Sequence, residues 1–473
     1  MPSAKEYTPP PSILIVGGGV FGLSTAHALA TRPEFASTKI TLVDRVTADK
    51  DGDMPSHDAA SMDSSRIIRA DYADAMYTRL AAEAQEEWRK QGDGELGGNG
   101  RYSESGLMVV GEEGTNGLGY ARESYANVKA MAAEAGCEEK IVELGSPRAL
   151  RERLGTEKGS GDWGYLNKTS GWADASKGME WLLEKVKRTG RVEFVRDTVT
   201  SLAWDASNGQ VTGARLSDGR TLSAGLVIVA AGAWSGSLVD LRGLCTATGQ
   251  AVAFVNITAE EEAKMRDMPV VLNLSSGLFV IPPRNGQLKV ARHAYGYLNP
   301  MDVPASNVLP KKVPSPGDKE ITGTMRISVP RTHSDIPDLR LPLEAERDLR
   351  RGLEQFAPIP SLRDRPFASS RLCWYTDTPT GDYIVDYHPS WKGVFVVTGG
   401  SGHGYKFLPV IGEKVVDCIM GRGSEEMREK WRWRAEGKVE VVDGVDNVVT
   451  MDGSRSGEPG MVLDRVMDAN AKL

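Results

Sequence analysis

Little in this chain of 473 residues suggests disulfide or metal chemistry. It has four cysteines, Cys137, Cys245, Cys373 and Cys418, far apart and in no CxxC pair. Its six histidines are scattered and form no HExxH. Free thiols in a reducing compartment are therefore the expectation, and a structural zinc site is not. No run of about 18 apolar residues exists, so no membrane span is expected. A basic region followed by an apolar stretch is missing at the N-terminus, so no secretory signal is expected. Lys/Arg-rich stretches are missing too, and the net charge is −7. Nucleic acid and anionic membrane are thereby excluded as partners. What remains is a globular composition long enough for two or three domains, each with its own core.

The most informative stretch is Ser12-Ile13-Leu14-Ile15-Val16-Gly17-Gly18-Gly19-Val20-Phe21-Gly22. An apolar run ends in three glycines, a helix-like stretch follows to Ala30, and a second apolar run, Ile40 to Val43, ends in Asp44. This is the strand–turn–helix–strand unit that holds a dinucleotide. Gly17 suits the tight turn, Gly19 the close approach of pyrophosphate, and Gly22 the packing of helix on strand. The pyrophosphate would lie against free N–H groups at the helix N-terminus. Asp44 would accept from the adenosine ribose hydroxyls and repel a 2′-phosphate, which disfavours NADP. The fingerprint alone leaves NAD and FAD open.

Further along, residues 45–65 form a charged loop leading into Ser64-Ser65-Arg66-Ile67-Ile68-Arg69. Two arginines three apart could grip an anion or simply be solvated. Tyr77 to Trp88 has helical periodicity, with Trp88 on the core face. A helix is expected from Ser124 to Ala135, and another after Asp174, which can cap it. Residues 192–199, 211–216 and 221–229 are expected strands, the last running into Ala230-Ala231-Gly232-Ala233-Trp234, where small residues suit backbone close to a ligand. From 243 to 365 short strands alternate with Pro-rich loops, as in a mixed or antiparallel substrate domain. In the strand-like Gln287–His293 stretch, Lys289, Ala291 and His293 share one face. Residues 393–397 end in Gly399-Gly400-Ser401-Gly402-His403-Gly404-Tyr405-Lys406, a second nest of backbone donors. A charged helix spans 424–434, and a polar tail follows.

Taken together, these segments resemble the flavoprotein amine oxidases that include monomeric sarcosine oxidase, pipecolate and saccharopine oxidases, and the fructosyl-amino-acid oxidases (amadoriases). The resemblance spans residues 12 to 415. It rests on the glycine fingerprint, on Arg371-Leu372-Cys373-Trp374-Tyr375-Thr376, and on the glycine-rich segment ending at Lys406. It implies an α/β (mixed α+β) fold: a Rossmann-like FAD-binding domain of the D-amino-acid-oxidase superfamily interleaved with a substrate domain. The expected division is 1–102, 160–242 and 366–435 for FAD, 103–159 and 243–365 for substrate, and 436–473 for the tail.

The resemblance also implies roles. Cys373 would carry FAD through an 8α-thioether. Gly17, Gly19, Val20, Phe21, Gly22, Asp44, Arg45, Ser64, Ser65, Ala231, Gly232, Trp234, Gly400, Gly402, His403, Gly404 and Lys406 would surround it. Lys289 would lie over the flavin and stabilise superoxide as oxygen is reduced. His293 and Tyr375 would line the active site, and Arg66 would stand beside the flavin. Arg69 and Lys406 would grip the substrate carboxylate, with Asp74 at the position of a pocket Glu. The implied reaction takes a secondary amine, such as an N-methyl amino acid, pipecolate or saccharopine, to an imine, with O2 reduced to hydrogen peroxide. Ser65-Arg66 departs from the Thr-Arg pair of sarcosine oxidase, and amadoriases carry a different segment at Ser64 to Arg69. Long loops at 45–65 and 300–320 suit a larger secondary amine. Oxidation of a natural-product precursor with ring closure onto the imine, or of a fructosyl amino acid, are the alternatives. A monomer is expected. Ala471-Lys472-Leu473 resembles a peroxisomal address of the S-K-L type.

Overall fold

The strand Ser12–Val16 lies at the centre of a parallel sheet, with Lys39–Asp44 on one side and Leu226–Val229 on the other. The computed structural model describes residues 7–45, 54–315, 318, 321–434 and 439–471. The six strands run in the order Ile384–Tyr387, Val394–Thr398, Leu226–Val229, Ser12–Val16, Lys39–Asp44, Val192–Arg196. All pair in parallel except the antiparallel edge strand Ile384–Tyr387. The inner strands are mostly apolar because both faces are covered. The helix Val20–Thr31 packs on one face, against the helices Ile411–Ile419 and Ala175–Arg188. Asp174 caps the last of these, accepting from Lys177 N at 3.0 Å.

A second, ten-stranded sheet builds the other half. Its core is the antiparallel run Leu278–Arg284, Gln287–Arg292, Thr246–Asn256 and Ser369–Asp377. One face, carrying Leu288, Val290, Ala251, Ala253, Leu372 and Trp374, packs with the helix Leu343–Phe356. The opposite face carries Lys289, Ala291, Val252, Cys373 and Tyr375. The alternation of the strands thus turns one set of side chains to a core and the other toward the first sheet.

Several expectations are adjusted. Residues 192–199 split into Val192–Arg196 and Val199–Asp205, which join different sheets, because Asp197 and Thr198 form the turn between them. Residues 221–229 divide likewise, where Gly225 N bonds back to Ser12 O at 3.1 Å. Trp163–Asn167 and Ser369–Asp377, allotted by sequence to the nucleotide half, both pair in the large sheet.

Residues 439–471 are not a detached tail. Val439–Val442 and Val445–Val448 form a hairpin about Asp443 and Gly444, both at positive φ. Such an Asp-Gly turn between β-branched runs is a strong hairpin signal. Met461–Val462 then pairs in parallel with Tyr297–Leu298, and Leu463 is fully buried. Val445, Val448, Val449, Val462 and Leu463 supply the burial that a polar tail lacks. Lys472 and Leu473, two of the three residues expected to form a peroxisomal address, lie outside the described residues. No helix among the described residues is long and apolar enough to cross a membrane.

Candidate active site

A cavity of ≈ 250 Å³ runs along the C-terminal ends of the parallel strands, where open α/β sheets bind ligands. Gly17, Gly19, Val20, Phe21, Asp44, Arg45, Ala231, Gly232, Trp234, Gly400, Gly402 and Gly404 line it, as the sequence predicts. Gly17 adopts φ +106°, and a Cβ there would sit 2.5 Å from Ala230 O. A Cβ on Gly22 would sit 1.8 Å from Gly17 O, so helix and strand meet only because both are glycines. The helix Val20–Thr31 begins at Gly19 with no side-chain cap, leaving its first N–H groups open toward the cavity. Ser61 Oγ, also on the wall, is buried with no hydrogen-bond partner.

Asp44 ends its strand, accepts from Ser56 N at 3.0 Å, and has its pKa raised by burial despite its backbone hydrogen bonds. The Arg45 guanidinium lies over the Trp234 ring, 5.1 Å from its centroid. A glycine cradle, an uncapped helix terminus, an orphan hydroxyl and a buried acid at a strand end are a donor and acceptor set that suits FAD. The residues present fit it.

Behind this cavity lies a smaller one of ≈ 70 Å³. Arg66, Tyr375, Gly402 and Tyr405 line both. Lys289 Nζ donates to Asp63 Oδ2 and to Ser65 O, each at 2.7 Å. Arg66 pairs with the same carboxylate and with Ala60 O, and its Nη2 lies 3.2 Å from Cys373 Sγ. Burial works to raise the pKa of Asp63, but Arg66, Lys289 and Arg371 outweigh it and hold the carboxylate ionised. Burial likewise brings Lys289 down to about 8, with Asp63 opposing the fall.

At the other end of the small cavity stand Arg69 and Lys406, both buried. The Arg69 guanidinium lies over the Tyr72 ring at 4.9 Å. Burial acts against its charge, but Tyr120, Tyr72 and Asp71 hold its pKa above the ordinary value. Lys406 Nζ donates to Tyr72 Oη and His403 O at 2.9 Å each. Burial, then Arg69, push its pKa well below normal. Neither makes an ion pair among the described residues. The opposite wall is apolar: Ile67, Val252, Leu272, Phe279, Ile281 and Ala291.

The remaining predicted residues fall in varied places. Cys373 and His293 line the small cavity. His403 does too, its ring held by Tyr72, Tyr383 and Gly381 O, so it is set in an aromatic cluster rather than on the large cavity. Ser65 serves Lys289 through its carbonyl, whereas Ser64 is exposed. Asp74 reaches neither cavity. It caps the helix Ala75–Arg89, accepting from Met76 N and Tyr77 N, and pairs with Lys430 at 2.6 Å. An acid immediately before a helical run is a cap signal, and that signal prevails here. Trp88 is fully buried, and its Nε1 donates to Lys406 O at 2.8 Å.

Two residues were missed. Asp63 adjoins the predicted segment, but nothing local marks it as the partner of a lysine 226 positions away. Arg455 reaches His293 from the C-terminal segment.

Comparison with known proteins agrees with this geometry. The chain is 34% identical over 453 residues to the amino acid oxidase imqH of Aspergillus flavus, covering 87% of this chain and 93% of that one. It is 33% identical to the amino acid oxidase fsqB of Aspergillus fumigatus, covering 90% and 98%. The fold superposes on the crystal structure of a fructosyl peptide oxidase with a TM-score of 0.79, at 26% identity and over 96% and 98% of the two chains. The family model for FAD dependent oxidoreductases, DAO, matches residues 12–418. With a glycine-built dinucleotide cavity opening onto a cation-lined pocket, the chain belongs to the DAO family of FAD-dependent oxidoreductases.

Proposed function

We propose that the protein oxidises the C–N bond of an N-substituted amino acid, with FAD as hydride acceptor and O2 as final oxidant. The observation that carries this is the division of labour among buried cations. Arg66 and Lys289 share Asp63 at the border with the nucleotide cavity, while Arg69 and Lys406 face the small cavity in direct ion pair with no carboxylate among the described residues, Asp71 acting on both only through space. A buried cation pair without a counter-ion is a site for an anion. Arg69 supplies a planar fork and Lys406 a point charge, which together suit a carboxylate. Arrival of that carboxylate would restore the Lys406 proton that burial and Arg69 disfavour.

With the carboxylate anchored, the N-substituent would lie along the apolar wall of Phe279, Leu272 and Ile281. Aliphatic or aromatic substituents suit that wall better than a polyhydroxylated sugar, which disfavours a fructosyl amine. The amine binds as the free base, so no side-chain base is required. Bound FAD would supply the hydride acceptor and the electrons that reduce O2. Lys289, still largely protonated below pH 8, would present positive charge where negative charge develops on oxygen. The imine leaves to hydrolyse in water, or is trapped by a nucleophile of the substrate itself. Cys373 is read as the attachment point for a covalent flavin. Its buried thiol lies 3.2 Å from Arg66 Nη2, on the wall of the small cavity.

The deciding experiment measures hydrogen peroxide formed under air from N-methyl and N-alkyl amino acids and from the same amines lacking a carboxylate. Turnover confined to the carboxylates supports the assignment. Equal turnover of both sets, or failure of every amine to bleach the flavin, would overturn it.

A further inference from the structure

We propose that Arg455, carried in by residues 449–457, is a positioning residue of this active site. It holds His293 as a neutral imidazole, with one guanidinium nitrogen set against both ring nitrogens. This rests on the oxidase assignment for its meaning, though not for its test. The Arg455 side chain is 1% exposed and lies deep in the protein, far from the surface setting usual for arginine. Its Nη2 donates to Asp377 Oδ1 at 2.5 Å and to Ser401 O at 2.8 Å. Its Nη1 lies 2.8 Å from His293 Nδ1 and 2.7 Å from Nε2. The guanidinium also stands over the Tyr375 ring, 5.6 Å from its centroid.

The inference follows from what each group can do. A guanidinium is always charged and only donates. An imidazolium only donates as well, so the two cannot share a hydrogen bond. A ring nitrogen in contact with Arg455 must therefore offer a lone pair, and His293 must be neutral. The other groups facing the ring agree. Arg69, Lys406 and His403 are also cationic or neutral, and burial, followed by Arg455, drives the His293 pKa well below its ordinary value. Tyr375 packs beside it with ring centroids 5.9 Å apart.

Arg455 is tied in register with the histidine. Ser456 bridges to Ala294, Tyr295 N donates to Ser456 O at 3.0 Å, and Ser456 Oγ donates to His293 O at 3.3 Å. Asp377 is anchored in turn by Thr248 Oγ1 at 2.6 Å. Arg455 Nε is buried with no acceptor. The arginine is thus placed by His293, Asp377 and Ser401 rather than by full satisfaction of its own donors. The site is incomplete without the C-terminal segment.

The test is a set of histidine-ring ¹⁵N–¹H correlation spectra of the holoenzyme, with His293 assigned by its loss in His293→Gln. In the wild type, His293 should remain one neutral tautomer between about pH 5 and 8, where an ordinary histidine titrates. In Arg455→Met it should titrate inside that window, and Arg455→Lys should fall between, keeping the charge without the fork. With an oxidised amine, Arg455→Met should lower kcat more than it raises KM. Its kcat/KM should gain an acid limb falling roughly tenfold per pH unit, absent from the double variant with His293→Gln. A His293 that titrates normally in the wild type overturns the proposal, and so does one that stays neutral in folded Arg455→Met. If Arg455→Met fails to fold, the wild-type and Arg455→Lys spectra decide. The spectra need no substrate, so absence of any oxidised amine would remove the oxidase assignment while this proposal is still decided.

Discussion

The two cavities meet at Arg66 and Tyr375 but are built by different means. The larger one is shaped by backbone, with glycines at strand ends, an uncapped helix terminus and the buried Asp44 at the end of its strand. The smaller one is shaped by side chains, with polar groups from Arg66 to Arg69, Lys289 to His293, Cys373 to Tyr375 and His403 to Lys406 facing an apolar wall, and with Asp63 and Arg455 behind them. Backbone donors have fixed positions and neutral charge, and they suit a cofactor that never changes. Buried cations are costly unless compensated, so under the proposed function their arrangement would suit an incoming carboxylate.

That contrast can be broken from either side. The largest effect is expected at Asp63, which ion-pairs with both Arg66 and Lys289. Asp63→Asn leaves buried cations uncompensated and should cost about 3–5 kcal/mol in denaturant unfolding. An unchanged midpoint would mean that the cations are solvated.

Lys289→Met comes next. It should slow reoxidation of reduced enzyme by O2 about 10²- to 10³-fold while leaving anaerobic reduction nearly intact, as stopped-flow absorbance would show. In the wild type the same reoxidation rate should fall as pH rises through about 8, because the lysine then loses the charge it contributes. A rate that rises there would contradict the assignment.

Arg69→Gln removes a charge-assisted hydrogen-bond fork worth about 1.5–3 kcal/mol, so kcat/KM for a carboxylate amine should drop by roughly one to two orders of magnitude. FAD content should not change. Gly22→Ala tests the other cavity, since the added methyl would meet Gly17 O. A cost of about 1–3 kcal/mol is expected, together with partial loss of bound FAD on gel filtration, whereas the substrate-site variants stay yellow. The smallest effect on stability belongs to Cys373→Ser. Thermal unfolding should move little, but the yellow colour should pass to the supernatant on acid precipitation if Cys373 carries the flavin. Colour already in the supernatant for the wild type would remove the covalent link.

The nucleotide cavity was legible because its signals are local. Gly17, Gly19, Gly22 and Asp44 lie within 28 residues, and alternation or apolar runs mark the strands between them. The shared face of Lys289, Ala291 and His293 was legible for the same reason, since a strand's period of two is written in order. Asp74 misled because an acid before a helix serves as a cap as readily as a ligand. The C-terminal hairpin carried its own signal in Asp443-Gly444, but its destination did not. Nothing near residue 455 says that it will lie beside residue 293.

By itself the sequence determined the dinucleotide turn, the helices and strands with strong periodicity, and the residue types available for a carboxylate clamp. Those rest on dihedral preference and hydrophobic period, which act over a few residues. Only the tertiary structure decided that Asp63 would neutralise Lys289, that Arg69 and Lys406 would form no direct ion pair among the described residues, and that Arg455 would reach His293. Charge compensation in a buried pocket depends on which side chains the sheets bring within a few ångströms, and that is set by pairing across hundreds of residues.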